Sequence, residues 1–289
     1  MSQATPVAVV TGASRGAGRG IAIALGTHGC TVYVTGRSEQ TGDASMPGTI
    51  YETADAVTAA GGKGIAVRVD HADDAQVQAL FEQVEREQGR IDILVNNACA
   101  IHDALTSPGN FWEKPLAIGN MIDVGVRSGY VASWYAAPMM VRQGRGLVVF
   151  TSAPGAVHYC LGPAYGAHKA GVDKMAADMA VDFKDAGSDV AAVSIWMGTL
   201  LTDRLRSIAA SNPGRYGHVL ENAETPEFTG HVIWSLFNDP EMNSYSGQTL
   251  IGAEMGGLYQ IRDKDGRHPP SVRNLHQCEP RKQYPFTIK

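Results

Sequence analysis

The chain has 289 residues, a net charge of −5, 44% hydrophobic residues and 18% charged residues. That apolar content excludes a solvated disordered chain, and a nucleic-acid protein would carry a basic stripe that is missing here. The 33 glycines exceed a background of roughly 7% without any period of three, so collagen is excluded, and no apolar run is long enough to cross a membrane. Along the chain, residues 7–11 read as a buried strand and 17–28 as a helix. A strand over 31–35 precedes a helix over 49–60. The pair 64–70 and 74–88 repeats the pattern, and 91–96 is a fourth strand. A long helix is predicted over about 116–142, then a strand over 146–152, a helix over 164–186, a strand over 190–196 and a last strand over 248–252.

Short continuous apolar strands separated by helices argue for a parallel sheet buried on both faces. Alternation sustained this long predicts an α/β, doubly wound Rossmann fold: a mostly parallel seven-stranded sheet with helices on both faces, in one domain over 1–257. Residues 198–225 have mixed periodicity and are expected to be a substrate lid, because long connections in compact domains often serve binding. The polar, proline-rich tail over 258–289 is expected to lack regular structure. Cys30, Cys99, Cys160 and Cys278 lie far apart with no metal spacing. Free thiols, a cytoplasmic location and no metal site are therefore expected.

The first strand runs into Thr11-Gly12-Ala13-Ser14-Arg15-Gly16-Ala17-Gly18. Spaced glycines between a strand and a helix let the backbone approach a pyrophosphate, which meets free N–H groups and the positive end of the helix dipole. A triphosphate-binding loop would need Gly-Lys-Ser/Thr, which is absent. At the end of the second strand, NAD sites usually carry an acidic residue for the ribose 2′-hydroxyl. Here Gly36 is followed by Arg37. A guanidinium suits a 2′-phosphate that a carboxylate would repel, and Arg15 can reach the same group. The predicted cofactor is NADP(H).

Tyr165 and Lys169 are spaced i, i+4 at the start of a predicted helix and share one of its faces. A tyrosine normally titrates near ~10, and a neighbouring ammonium lowers that value. Ser152 ends the fifth strand at the carboxyl edge of the sheet, where its hydroxyl can meet a substrate carbonyl.

This set resembles the short-chain dehydrogenase/reductase family over about residues 7–257. The match comprises the glycine turn, Asp70, Asn96-Asn97-Ala98, Ser152, and Tyr165 with Lys169. Within the family the chain is similar to the dehydrogenase/reductase member 1 group, on residues 16–22, 111–115 and 262–267. The resemblance implies that Tyr165 exchanges the proton, Lys169 tunes Tyr165 and holds the nicotinamide ribose, and Ser152 orients the carbonyl. Asp70 would approach the adenine, Asn97 would steady the cofactor, and Thr202 would contact its carboxamide or phosphate region. Gly12, Ser14, Arg15, Gly16, Gly18 and Arg37 complete the expected cofactor set. The implied reaction is hydride transfer between a nicotinamide and a carbonyl or alcohol, in a homodimer or homotetramer.

Three departures stand out. Cys99 replaces a usual glycine, and Met197-Gly198 replaces Pro-Gly. Asp123 is expected where the family keeps an asparagine that holds a relay water. His158, Tyr159 and Met197 are candidate substrate contacts for a bulky, mainly apolar small molecule, while His168 is expected to face away from the pair that flanks it. No nucleic-acid or membrane partner is expected. Two alternatives stay open: a catalytically weak NADP-binding protein, motivated by the departures, and an enone or imine reductase on the same scaffold.

Overall fold

The computed structural model describes residues 5–284, 287 and 288. Seven strands form: β1 (Val7–Val10), β2 (Thr31–Gly36), β3 (Lys63–Arg68), β4 (Ile93–Asn96), β5 (Arg145–Ser152), β6 (Asp189–Trp196) and β7 (Thr249–Ile251). They make one sheet in the order β3-β2-β1-β4-β5-β6-β7. Each of the six neighbouring pairs is parallel. The crossovers are α1 (Gly16–Thr27), α2 (Ile50–Ala59), α3 (Asp74–Gln88), α4 (Ser128–Gln143), α5 (Pro163–Asp185), α6 (Asp203–Ser211), α7 (Pro213–Tyr216) and α8 (Pro226–Asn238). The chain ends with α9 (Gly252–Leu258) and α10 (Val272–His276).

Alternate strand residues point to opposite faces, and both faces are apolar. Ala8, Val10, Val32, Val34, Ile93 and Val149 pack with Ile21 and Leu25 of α1 and with Val232 and Ile233 of α8. Val7, Val9, Leu94, Val148 and Phe150 pack with Leu80 of α3, Ala132 of α4 and Val172 of α5. Chain order reverses between β1 and β4, so the crevice at their carboxyl ends is where this fold binds ligands.

The structure departs from the sequence reading in three places. The helix expected over 116–142 is interrupted. A 3-10 turn spans Leu116–Gly119, and the α4 helix starts only at Ser128. Between them Val124 (φ −100°, ψ 88°) and Gly125 (φ 156°, ψ −66°) leave the helical region. The freed groups are satisfied locally: Val124 O accepts from Ala100 N at 2.9 Å and Gly125 N donates to Ser128 Oγ at 3.0 Å. Gly125 adopts a φ that side chains disfavour.

The second departure is α8, a helix the reading left out. Pro226 sits at its start, where a missing N–H costs nothing. The α8 helix crosses α1 closely: a Cβ on Gly20 would lie 2.3 Å from Pro226 Cβ, and one on Gly230 2.6 Å from Ala24 Cβ. The third departure is the lid and tail, which are more regular than expected. Thr202 caps α6 through its hydroxyl, and Ser271 caps α10. Asp263, buried in the tail, accepts from Thr225 N at 2.7 Å, so the tail fastens the foot of the lid.

Candidate functional site

The glycine turn leaves β1 against the end of β4. Asn97 Nδ2 donates to Thr11 O at 2.9 Å and Gly12 O at 3.1 Å. Thr11 Oγ1 accepts from Asn97 N at 2.9 Å and Ala98 N at 3.0 Å. The fit leaves no room for side chains: a Cβ on Gly18 would lie 2.4 Å from Gly12 O and 2.5 Å from Asn97 Nδ2. A Cβ on Gly12 would lie 2.7 Å from Ala98 Cα. The turn is therefore pressed down at the amino end of α1, whose N-cap residue Arg15 makes no side-chain cap hydrogen bond, an arrangement suited to a pyrophosphate. Gly16 faces Thr202 across the cleft, with a Cβ there 3.8 Å from Thr202 Cγ2.

One cleft of about 1230 Å³ runs from this turn to the lid, and Gly12, Ser14, Arg15, Arg37, Asp70 and Asn97 line its first half. Arg15 Nη2 donates to Ser38 Oγ at 2.6 Å and Gly48 O at 2.7 Å, so the insertion over 36–48 is wrapped around that side chain. Burial lowers the Arg15 pKa, and repulsion from Arg204 and Arg37 lowers it further. With Arg68, which pairs with Glu39, four guanidinium groups thus share this end of the cleft. Asp70 and Asp103 balance part of their charge, at 3.7 Å from Arg37 and 2.9 Å from Arg204. Gly36 leaves no carboxylate at the end of β2. His71 lies below, buried, with Nε2 2.8 Å from Thr35 Oγ1 and Nδ1 without a hydrogen-bond partner among the described residues. His71 escaped the sequence reading, which placed Arg204 only within the expected lid, because neither lies in a spaced motif.

The second half of the cleft is lined by Ser152, Tyr165, Lys169, Met197, Thr202 and His158. Tyr165 packs, with Cys99, Leu161 and Ala164, against the buried cluster of Leu105, Ile118 and Met121. A Cβ on Gly155 would lie 2.5 Å from Tyr165 Cε1, so the Gly155 backbone fixes the ring. Lys169 Nζ lies 5.6 Å from the centre of that ring and donates to Thr151 O at 3.2 Å. Sequence spacing implied that the ammonium lowers the tyrosine pKa. In the structure burial dominates and raises it, with the Cys160 and Cys99 thiols adding to the rise. Burial also lowers Lys169.

Ser152 is fully buried, its hydroxyl donating to Lys169 O at 3.4 Å. Behind it lies Asp173, one turn beyond Lys169 on α5. Asp173 accepts from Trp196 Nε1 at 2.9 Å and from the Ser194 hydroxyl. Burial raises its pKa, while hydrogen bonds from Ser194, Ser152 and Trp196 and the charge of Lys169 oppose the rise. Its i, i+4 spacing from Lys169 was a usable signal that the sequence reading did not take.

Two expected site residues are elsewhere. Asp123 is exposed and does not line the cleft, because the helix breaks at Val124–Gly125 and turns it outward. At the break the chain presents Gly125, and the ring of His168 fills the adjoining space: a Cβ on Gly125 would lie 2.9 Å from His168 Nε2. His168 is buried, with Nδ1 3.6 Å from Cys99 Sγ. Tyr159 is 82% exposed and points away from the cleft. The lid is anchored at Gly198, whose N–H donates to Glu224 Oε1 at 3.1 Å. Glu224 is 1% exposed, and burial pushes its carboxyl up to about 7. No group of three or more His, Cys, Asp or Glu side chains suited to a metal ion, and no helix long and apolar enough to cross a membrane, occurs among the described residues.

Residues 6–213 match the family model for short chain dehydrogenases. Dehydrogenase/reductase SDR family member 1 of Homo sapiens is 40% identical over 272 residues, 90% of this chain and 84% of that relative. Two solved structures superpose with comparable coverage. A short chain dehydrogenase homologue from Mycobacterium thermoresistibile gives a TM-score of 0.75 at 25% identity, over 92% of each chain. A 7α-hydroxysteroid dehydrogenase complexed with NADH and 7-oxo glycochenodeoxycholic acid gives 0.71 at 26% identity, over 85% of this chain and 92% of that one. With the sheet order, the glycine turn and the Ser152, Tyr165 and Lys169 cluster, these matches establish that the chain belongs to the short-chain dehydrogenase/reductase family of oxidoreductases.

Proposed function

We propose that the protein is an NADP(H)-dependent enzyme that interconverts a carbonyl and an alcohol, with Tyr165 as the group that gives and takes the proton. The observation that carries this reading is the meeting of Tyr165, Lys169 and Ser152 in the same cleft as the glycine turn. Gly12, Ser14, Gly16 and Gly18 with the start of α1 would hold the pyrophosphate. Arg15, Arg37 and Arg204 favour a 2′-phosphate. Asp70, Asn97, Lys169 and Thr202 line the remaining length of the dinucleotide path. When bound, the nicotinamide supplies or accepts the hydride.

The chain's own groups handle the proton. Burial keeps the Tyr165 hydroxyl protonated at neutral pH, which suits a donor to a carbonyl that is being reduced. Lys169 stands behind the ring as a buried cation and favours the phenolate left after the proton departs. The single Ser152 O–H donates to Lys169 O and must turn to meet the substrate oxygen, with the Asp173 carboxylate beside it as a competing acceptor. Met197, Leu200, Leu205 and Ile208 give the substrate end an apolar wall, suited to a bulky carbonyl compound. A homodimer or homotetramer through α4 and α5 is part of the proposal, supported by the exposed Tyr130 and Trp134 on α4. The four free cysteines support a reducing, cytoplasmic setting.

The test is turnover. Wild-type protein should oxidise NADPH in the presence of at least one member of a carbonyl panel. Tyr165→Phe should lower that rate by about a thousandfold or more while still binding NADPH. Turnover that survives in Tyr165→Phe would overturn the assignment.

A further inference from the structure

Residues 197–202 join the two ends of the cleft. Met197 N donates to Ser152 O at 3.1 Å, and Thr202 faces Gly16 of the glycine turn. A shift of this strip therefore changes how a cofactor held at the turn meets Ser152 and Tyr165. Apolar packing does not fix the strip: from 197 to 222, Ala209 alone is buried among the described residues. The Arg204–Asp103 pair is partly exposed, and such pairs hold weakly. The strip is held instead by Glu224, which is 1% exposed. Gly198 N donates to Glu224 Oε1 at 3.1 Å, Leu201 N to Glu224 O at 2.8 Å, and Glu224 N to Thr199 O at 2.8 Å.

Glu224 is held in turn by the tail. Asp263 N donates to Arg267 O at 2.9 Å and Gly266 N to Asp263 O at 2.8 Å. With Gly266 at φ 80°, residues 263–267 close a tight turn. Its two ends grip the chain on either side of Glu224. Asp263, 6% exposed, accepts from Thr225 N at 2.7 Å and from the Thr225 hydroxyl. Arg267 Nη1 donates to Glu221 O at 2.6 Å, and Nη2 donates to Ala223 O. Both chain neighbours of Glu224 are thus fastened to the turn by charged side chains, whose hydrogen bonds are stronger than neutral ones. Glu224, Asp263 and Arg267 all lie outside the cleft lining.

We propose that the tail turn over 263–267 is a clamp that positions the strip 197–202 against the reacting end of the cofactor. This rests on the reading of the cleft as an NADP(H) site. Glu224, Asp263 and Arg267 are positioning residues. The turn fixes 223–225, and Glu224 passes that constraint to Gly198, Thr199 and Leu201. Misplacing reacting groups by about 1 Å can cost a hundredfold in rate, so a small slip of the strip is felt in turnover. A turn that only stapled the tail to the surface would affect stability and leave the strip and the cofactor unchanged.

The test uses Arg267→Ala, Asp263→Ala and Arg267→Lys in the full chain. In the two Ala variants, amide hydrogen exchange of the free protein should speed up by about tenfold at Gly198 and Leu201, while the amides of β1 to β5 keep wild-type protection. NADPH affinity should fall by about tenfold and kcat by at least as much. Adenosine 2′-monophosphate fills only the arginine end of the cleft and should bind each variant within about twofold of wild type. Arg267→Lys keeps a cation that can reach one of the two carbonyls and should recover part of each loss. Wild-type protection at Gly198 and Leu201 in both Ala variants would overturn the clamp. Faster exchange there with NADPH affinity and kcat unchanged would reduce the turn to a staple, and an equal loss for both ligands would assign the effect to general destabilisation; either overturns the positioning role. Faster exchange in the variants of a wild-type chain that binds no NADPH would overturn the cofactor reading and leave the tail's hold on the strip standing.

Discussion

The two halves of the cleft are built from different material. At the glycine turn the fit is set by backbone: Gly12 and Gly18 are pressed against Ala98 and Asn97, and a side chain at either would meet main-chain atoms. At the substrate end the walls are side chains carried by the lid, the loop after β5 and the tail. Backbone walls tolerate almost no change, because adding one methyl group meets main-chain atoms. Side-chain walls can be rebuilt one residue at a time, which is how one family scaffold takes many substrates.

That contrast can be broken in order of severity. Within the glycine turn, Gly18→Ala should be the most damaging single-methyl change, since its Cβ would sit 2.4 Å from Gly12 O. NADPH affinity measured by fluorescence should fall by about a hundredfold or more, as misplacing the turn removes several backbone contacts together. An affinity within twofold of wild type would show that the turn is looser than its packing indicates.

The next effect lies beneath the substrate half. Asp173→Asn keeps one carbonyl oxygen for the Trp196 and Ser194 donors but adds an amide group that must find acceptors. It should cost about 1–3 kcal/mol in urea unfolding and lower kcat more than it changes NADPH binding. Unchanged kcat with the expected stability loss would confine Asp173 to a packing role.

A third effect, confined to the pH dependence of stability, concerns the lid foot. The Glu224 carboxyl is raised from 4.5 to about 7 by burial, so the folded state favours its protonated form. Its stabilising contribution is complete below pH 4.5 and is lost as pH rises through about 7. The shift corresponds to a few kcal/mol at most, roughly 3 at 1.36 kcal/mol per unit. Glu224→Gln is neutral throughout. Its unfolding free energy should fall less than that of wild type between pH 5 and pH 8, while parallel pH profiles would remove Glu224 as the source.

The same contrast explains what the residues disclosed before the fold was known. The strands β1 to β7, the glycine turn and the Tyr165–Lys169 pair were legible, because buried parallel strands are continuous apolar runs and both motifs are local in sequence. The α8 helix was legible in principle from Pro226 and the spacing of Phe228, Val232, Ile233 and Leu236, and the reading passed over it. Asp123 was placed by its alignment with the family's asparagine, and that alignment could not show that the backbone leaves the helix at Val124–Gly125 and leaves Asp123 exposed. Arg204 and Glu224 act through contacts between segments far apart in sequence, and their neighbours carry no spacing that reveals them. The direction of the Tyr165 shift was also out of reach, since spacing places a cation nearby and says nothing about burial.

The most direct measurement is a paired titration of NADPH and NADH into wild-type protein, Arg15→Ala and Arg37→Ala. NADPH should bind wild-type protein at least about tenfold more tightly than NADH, and either substitution should erode that preference with little change for NADH. Wild-type protein that binds NADH about tenfold more tightly than NADPH would contradict the assignment of the arginine cluster to a 2′-phosphate.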